Sequence, residues 1–166
     1  MSNTTNQEAW RVVEIDPADL EVEGNPDMDN ALRMYGILTP ATNSYKEKLN
    51  LPVGAWRPVT TEDIKKMFLN QWRIFFVENE EKKVVAMATV KKLSDKDTFS
   101  LTNVVVDEAY RGRGLGKMVC EAAIEWCQPN YVTLEVSNAN PHAYELYKSL
   151  GFRDTYKVMH LDPIKK

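Results

Sequence analysis

The chain has 166 residues, of which 43% are hydrophobic and 27% are charged, and its formal net charge is −3. This length and composition are typical of one compact globular domain. No apolar run of about 18 residues could cross a bilayer, and the slight acidic excess argues against a nucleic-acid partner, because phosphates attract basic surfaces.

The first 70 residues predict a short strand and two helices separated by an irregular segment. Residues 10–15 (WRVVEI) have the composition of a strand, and 26–37 have a helical pattern with proline in the first turn. Prolines and weak periodicity predict an irregular segment at 39–58, with one helical turn at YKEKLN. A second helix is expected from 60 to 70, since acidic residues occupy its first turn, where the helix dipole favours them.

From Arg73 the pattern changes to that of strands. RIFFVENEEKKVVAMATVKKL predicts a hairpin with a polar turn at 79–83, and FSLTNVVVDE predicts the next strand. Apolar residues at helical spacing then run from Leu115 to Trp126 and predict a helix that ends before Pro129.

The remaining sequence predicts a strand, a helix and a final strand. YVTLEVS has strand character, and a helix follows Asn140, a preferred capping residue, and ends at Gly151. FRDTYKVMHLD predicts the last strand. The order of elements predicts a single α/β domain over 1–166, with a mixed sheet and helices on its faces.

The amino terminus has neither the basic start nor the apolar stretch of a targeting signal, so we expect residues 1–8 to be disordered and the protein to be cytoplasmic. Cys120 and Cys127 lie about 10 Å apart along one predicted helix, too far to bond to each other, which fits a reducing compartment. Both thiols are expected to pack in the core. No metal-ligand spacing occurs, and no metal is expected.

The turn RGRGLGK, at 111–117, joins a strand to the Leu115 helix and has the features of an anion site. Glycine lets a ligand approach the backbone closely, and a helix amino terminus offers unpaired N–H groups and about half a positive charge. Arg111, Arg113 and Lys117 add three cations, so the turn suits a polyanion such as a pyrophosphate. A glycine turn with solvated basic side chains is the alternative interpretation.

Two common nucleotide motifs do not fit this turn. A P-loop requires Ser or Thr after Gly-Lys, but Met118 follows Lys117, which argues against nucleotide hydrolysis. In a dinucleotide fingerprint counted from Gly112, the third glycine position holds Lys117, and the turn follows an antiparallel hairpin instead of opening a βαβ unit.

Two motifs resemble those of the Gcn5-related N-acetyltransferase (GNAT) family. Residues 111–116 (RGRGLG) match its acetyl-CoA signature, which is Gln or Arg, two variable residues, Gly, one variable residue, and Gly or Ala. NPHAYELYKSLGF, at 140–152, resembles its second signature. The resemblance covers about 73–162, which we expect to be the acetyl-CoA-binding core. It implies a GNAT-like, mostly antiparallel sheet with helices on both faces, splayed between the fourth and fifth strands.

The resemblance also implies roles for individual residues. The backbone of Val104, Val105 and Val106 would bind the pantetheine arm, and the thioester would enter the gap between SLTNVVV and YVTLEVS. Asn140 would contact the coenzyme, and Tyr147 would face the leaving thiolate. The pyrophosphate of coenzyme A would bind to the glycine turn, formed by Arg111, Gly112, Arg113, Gly114, Leu115, Gly116 and Lys117.

Acetyl transfer to an amine requires a base, because an alkylamine with a pKa near about 10.4 is almost fully protonated at neutral pH. Glu135 is the candidate base, since alternation in YVTLEVS places it on the face opposite Val132 and Leu134. A residue of the first 70, for instance Glu62 or Asp63, or a chain of water molecules is the alternative. Tyr147 is the candidate proton donor to the thiolate.

These observations predict an enzyme that transfers acetyl from acetyl-CoA to a primary amine by direct attack in a ternary complex. The acceptor is expected to be a small molecule that binds beside 25–58. A protein amino terminus or lysine as acceptor, or a catalytically silent acyl-CoA-binding module, is the alternative. No nucleic acid or membrane is expected as a partner, and pairing into a homodimer is left open.

Overall fold

The structure is a computed structural model that describes residues 9–55, 57–95 and 97–164. The predicted disorder of 1–8 lies outside the described residues. The strands are β1 (Arg11–Glu14), β2 (Trp72–Glu78), β3 (Val84–Lys92), β4 (Thr98–Val106) and β5 (Tyr131–Thr133). The helices are α1 (Pro26–Lys48), α2 (Thr61–Leu69), α3 (Leu115–Cys127) and α4 (Pro141–Ser149). Short 3-10 turns occupy Pro17–Glu21 and Glu108–Tyr110.

The five strands form one mixed sheet in the order β1-β2-β3-β4-β5. The first four strands are antiparallel, and β5 lies parallel to β4. Asn79 stabilises the predicted hairpin turn, because its side-chain oxygen accepts hydrogen bonds from the amides of Glu81 and Lys83. The predicted mixed, mostly antiparallel sheet is therefore confirmed.

The fourth and fifth strands separate after a short contact. Thr98–Ser100 of β4 pair with Tyr131–Thr133, whereas no strand described in the structure pairs with that side of β4 from 101 to 106. This is the predicted splay. Next to it the β3–β4 register shifts between Met87 and Thr89, and Asn103 adopts a φ of 52°. These features form a bulge that bends β4 at the opening.

Helices cover both faces of the sheet, as predicted. In β2, Phe75 and Val77 pack beneath α3, while Ile74 and Phe76 pack beneath α1 and α2. Side chains alternate between faces along a strand, so a strand buried on both faces appears in sequence as a continuous apolar run. Among the described residues, no helix combines the length and the apolar character needed to span a bilayer.

Helix α1 is longer than predicted. The expected irregular segment at 39–58 is wrong for 39–44, because α1 passes through Pro40, and the helical turn expected at YKEKLN is the last turn of α1, which ends at Lys48. Proline removes one backbone hydrogen bond, but the buried Tyr35 holds the preceding turn against the sheet. The hydroxyl of Thr39 also donates to the Tyr35 carbonyl at 3.0 Å. Tertiary packing thus outweighs the local helix-breaking signal.

The other helices begin and end close to their predicted limits. Thr60 and Asp63 form a capping box at the start of α2. The Asn140 side chain accepts from the amide of Ala143 at 3.2 Å and caps α4, and Gly151 follows that helix with a φ of 95°. These ends are determined by local hydrogen bonds, which explains why sequence patterns located them.

The carboxyl-terminal strand prediction is wrong. Residues 153–164 are exposed and have no strand assignment, and β5 ends at Thr133 although YVTLEVS continues to residue 137. Alternating apolar residues form a strand only where a neighbouring strand supplies hydrogen bonds. In this chain neither segment supplies them to the other.

Candidate active site

The glycine turn presents free amides at the start of α3. Gly112 and Gly114 each have a φ of 77°, a left-handed conformation that disfavours any side chain. Gly114 caps α3 without a side-chain hydrogen bond, and no acidic residue occupies the first turn. The first intrahelical bond runs from the Met118 amide to the Gly114 carbonyl at 3.0 Å, so the three preceding amides, of 115–117, have no acceptor among the described residues.

Basic side chains surround these amides. Arg111 is exposed, and its Nε donates to the carbonyl of Val106 at 3.2 Å, which ties the turn to the end of β4. Arg113 lies over the Tyr110 ring at 5.3 Å. Lys117 lies 3.9 Å from Glu121 on the exposed surface of α3, a distance at which screening by water leaves little net attraction. The turn therefore combines cations with helix amides, as an anion site requires.

Three elements meet at Gly116. A Cβ added to this glycine would lie 3.5 Å from Leu146 Cδ2 on α4 and 3.5 Å from Val106 Cγ2 on β4. Side chains from the end of β4 and from α4 therefore both border Gly116 at the start of α3. This arrangement places the Tyr147 helix beside the glycine turn and the sheet opening.

Tyr147 is half-buried on α4, and its hydroxyl has no hydrogen-bond partner among the described residues. Its ring packs edge-on against Phe152 at 6.0 Å, in the core that also contains Cys120. Burial raises the pKa of Tyr147, and the neighbouring Cys120 thiol raises this pKa further. The hydroxyl forms no hydrogen bond within the described parts of the chain, so it is a protonated phenol with its donor available at neutral pH.

The valines of β4 alternate between the two cores. Val105 is buried under α1, and Val104 and Val106 pack towards α3. Their backbone lies on the stretch of β4 that has separated from β5. Asn140 uses its carbonyl oxygen to cap α4, so its amide nitrogen is the group left for a ligand.

The candidate bases differ in their surroundings. Glu135 is exposed beyond the end of β5, while Val132 and Leu134 pack on the core, so the expected alternation of faces holds. Asp63 accepts two hydrogen bonds from Arg57, at 2.6 and 2.9 Å, which hold the pKa of this carboxyl well below its usual range. Asp63 is therefore a weak base. Glu62 lies 3.9 Å from Lys66 on the exposed face of α2.

A polar network at the β4 bulge was not anticipated from the sequence. Asn103 Nδ2 donates to the Tyr35 hydroxyl at 3.1 Å and to Thr89 Oγ1 at 3.0 Å. Thr89 is fully buried and also shares a 2.8 Å hydrogen bond with the hydroxyl of Thr102. Asn103 Oδ1 accepts nothing from the described residues. The available signal was the asparagine itself. Strands disfavour asparagine, and this one lies inside a run of β-branched residues.

Both cysteines are packing residues, as predicted. Cys120 and Cys127 are completely buried in the core beneath α3. Burial raises the pKa of Cys120 to about 12, with a smaller effect of the Glu121 charge, and burial raises the pKa of Cys127 to about 11. Because the thiolate is the reactive form, neither thiol is a ready nucleophile at neutral pH.

Comparison with known proteins identifies the family. A profile described as "Acetyltransferase (GNAT) family" matches residues 38–152, more than half of the chain. The chain belongs to the GNAT family. GNAT members are acyltransferases, and the glycine turn, α3 and α4 of this protein all lie within the matched region.

Named GNAT relatives act on different acceptors. N-acetylaspartate synthetase of Xenopus tropicalis is 28% identical over 59% of this chain and 38% of its own length. N-alpha-acetyltransferase RimI of Mycobacterium tuberculosis is 32% identical over 42% of this chain and 46% of its own length. The chain thus spans less than half the length of the curated relatives it matches.

The GNAT fold extends over nearly the whole chain. A Bacillus halodurans protein of known structure superposes with a TM-score of 0.72 over 93% of this chain and 99% of its own. The two sequences are 19% identical, so this likeness concerns the fold. It includes α1, which lies wholly outside the region of motif resemblance at about 73–162.

Proposed function

We propose that this GNAT protein transfers an acetyl group from acetyl-CoA to the primary amine of a small molecule, by direct attack in a ternary complex. One observation carries this proposal: the uncapped start of α3, with two left-handed glycines and three basic side chains, lies beside the sheet opening. A pyrophosphate at the helix amides would direct an attached pantetheine arm towards that opening.

Several groups around the start of α3 and the end of β4 would hold coenzyme A. The amides of 115–117, with Arg111, Arg113 and Lys117, would bind its diphosphate. The backbone of 104–106, on the separated stretch of β4, would bind its amide-containing arm, because unpaired strand groups accept such hydrogen bonds. When bound, acetyl-CoA supplies an activated acyl group as a thioester.

The transfer needs two proton movements, and different side chains would perform them. The amine nitrogen forms a bond to the acetyl carbon as the carbon–sulfur bond breaks, and a base takes a proton from nitrogen. Glu135, directly or through water, is the proposed base, since Asp63 is already satisfied by Arg57. Tyr147 is the proposed donor to the departing thiolate, because its hydroxyl is protonated and forms no hydrogen bond within the part of the chain that the structure describes.

A shallow, open cavity beside α1 offers room for a small polar acceptor. It has a volume of about 400 Å³, and its lining includes Thr39, Asn43, Lys46 and Arg57. Thr39 lies about 6 Å along the helix from Tyr35, which contacts Asn103 at the bulge. An acceptor in this cavity would therefore approach the sheet opening from the side of α1, as expected for residues 25–58.

A thiol-release screen tests this proposal directly. Purified protein with acetyl-CoA should release free coenzyme A with at least one class among amino acids, amino sugars, polyamines and aminoglycosides. Release with peptides alone would replace the small-molecule acceptor by a protein acceptor. Calorimetric binding of coenzyme A without release in any arm would favour a silent acyl-CoA-binding module.

Direct transfer predicts that the buried thiols are dispensable. Cys120→Ala should retain turnover within about threefold, since a thiol with a raised pKa in a packed core is a poor nucleophile. The variant should be less stable by about 1 kcal/mol, because a small buried side chain is truncated. Steady-state rates and thermal unfolding measure the two effects. A complete loss of turnover in a folded variant would indicate an acyl-enzyme route instead.

A further inference from the structure

The polar network at the β4 bulge holds the carboxamide of Asn103 in one orientation. Thr89 Oγ1 donates its single hydrogen to the Thr102 carbonyl at 3.1 Å. It is therefore the acceptor in its 3.0 Å hydrogen bond with Asn103. Only the amide nitrogen of asparagine can donate, so Nδ2 faces Thr89 and Oδ1 points away from it.

Tyr35 on α1 binds the same amide nitrogen. Its hydroxyl accepts from Asn103 Nδ2 at 3.1 Å and donates to Met67 Sδ at 3.5 Å. Burial raises the pKa of Tyr35, so the phenol keeps its proton at neutral pH and its oxygen remains an acceptor. Both hydrogens of Nδ2 are thus used within the protein, and the carboxamide cannot turn over without losing two hydrogen bonds.

The carboxamide oxygen of Asn103 is the open end of this network. Among the described residues, no buried side-chain nitrogen or oxygen lacks a hydrogen-bond partner. Asn103 Oδ1 accepts no hydrogen bond from them, so it must be accessible to solvent. A carbonyl oxygen accepts hydrogen bonds and repels anions. A ligand group at this point must therefore offer an N–H or an O–H.

Asn103 lies next to the places proposed for both substrates. Asn103 and Val104 together oppose the single residue Ala88 of β3, so Asn103 is part of the bulge. The backbone of 104–106, which follows directly, is the stretch proposed to hold the acyl-bearing arm. Tyr35 belongs to α1, which also lines the cavity proposed for the acceptor. The open oxygen is thus close to the expected point of transfer.

We propose, on the basis of the acetyl transfer proposed above, that Asn103 Oδ1 accepts a hydrogen bond from the acceptor's primary amine and orients its nitrogen for attack. A neutral primary amine has two hydrogens and one lone pair. The lone pair forms the carbon–nitrogen bond as the carbon–sulfur bond breaks, and one hydrogen leaves as a proton to the base. The other hydrogen, bonded to Oδ1, stays on the nitrogen of the amide product. Asn103 therefore binds the amine without taking up a proton.

The backbone of Asn103 offers a purely conformational explanation for the same residue. Its φ is 52°, and asparagine is enriched several-fold in this left-handed region. Asn103→Gly separates the two explanations, because glycine adopts this φ without strain but has no carboxamide. If conformation alone requires the asparagine, the glycine variant should bind the acceptor normally.

Steady-state kinetics of Asn103→Gly test the contact. The acceptor is the amine with the highest rate in the thiol-release screen, varied at saturating acetyl-CoA. Its KM should rise at least about tenfold, the effect of losing one hydrogen bond to an amine or ammonium group. Coenzyme A affinity, measured by calorimetry, should stay within about twofold, which also shows that the variant is folded. Thr102→Val is the control: its hydroxyl bonds to Thr89 but not to Asn103, and the acceptor KM should be retained.

Tyr35→Phe provides a second variant. It removes one of the two acceptors that fix the carboxamide but leaves Oδ1 in place, so the acceptor KM should rise by a smaller factor, about threefold. This variant decides the matter if Asn103→Gly fails to bind coenzyme A, and an unchanged acceptor KM then overturns the proposal.

The outcomes separate this contact from the proposed reaction. An active wild type with an unchanged acceptor KM in folded Asn103→Gly overturns the contact and leaves acetyl transfer intact. A raised acceptor KM with unchanged coenzyme A affinity supports the contact. A wild-type chain that releases no thiol with any amine overturns the proposed function, and the contact with it.

Discussion

Gly114→Ala is expected to weaken coenzyme A binding at least about tenfold, equivalent to about 1.4 kcal/mol. Gly114 has a φ of 77°, and a side chain in this conformation costs about 1–2 kcal/mol. Relief of that strain would rotate the amides that follow, which are the proposed diphosphate donors. Apart from the glycine's own neighbours in the chain, no atom of the described residues lies within 4 Å of the added Cβ, so the methyl group itself meets no steric barrier from them. Isothermal titration with coenzyme A measures the effect.

Gly116→Ala is the matched control for this substitution. Its added Cβ would meet Leu146 and Val106 at 3.5 Å, an ordinary contact, and it has no left-handed backbone. Coenzyme A affinity should therefore stay within about twofold, a change of about 0.4 kcal/mol. Equal affinities of wild type and the Gly114 variant, with both folded, would remove the glycine turn from the binding site.

Tyr147→Phe is expected to lower kcat about 100-fold, the lower end of what a positioned proton donor contributes. Coenzyme A affinity and thermal stability should change little, because the lost hydroxyl has no hydrogen-bond partner among the described residues. Tyr144→Phe is the control on the same helix: its hydroxyl bonds to Asp154, and turnover should be retained. Stopped-time assays of thiol release measure both. An unchanged kcat for the Tyr147 variant would exclude the tyrosine as the donor.

The pH dependence of the free energy of unfolding provides a second test of Tyr147. Burial raises the pKa of Tyr147 in the folded chain, so the unfolded chain loses its phenol proton first as the pH rises above about 10. The stabilising contribution of the neutral phenol to the folded state is therefore fully present below that pH. The contribution is lost as the pH rises further. Wild type should lose stability more steeply than Tyr147→Phe between about pH 10 and 12, as measured by denaturant unfolding.

Several parts of the fold were predictable because local chemistry determines them. Asn140 caps α4 with its own side chain, Thr60 and Asp63 close a capping box, and Gly114 occupies a conformation that only glycine adopts readily. The continuous apolar runs of β2 and β3 likewise followed from burial on both faces. In each case the interacting groups are close in sequence or repeat with a simple period.

Other features depend on contacts between distant residues. The passage of α1 through Pro40 depends on packing of Tyr35 against the sheet, and the polar network joins Asn103 to residues 68 and 14 positions away. Whether 153–164 form a strand depends on whether a neighbouring strand is available, and the alternation of apolar residues does not reveal this. Packing and strand pairing between distant residues therefore determine the features of the fold that local sequence patterns do not predict.

By itself, the sequence determined the family signature, the glycine turn before α3 and the identity of the helix that carries Tyr147, because each is a local pattern of residue types. Only the tertiary structure decided that β4, α3 and α4 meet at Gly116, that the β4 bulge contacts α1, and that the last segment leaves the body. These outcomes depend on burial and backbone pairing between segments far apart in the chain, and the free energy of such contacts is not encoded in any single stretch of sequence.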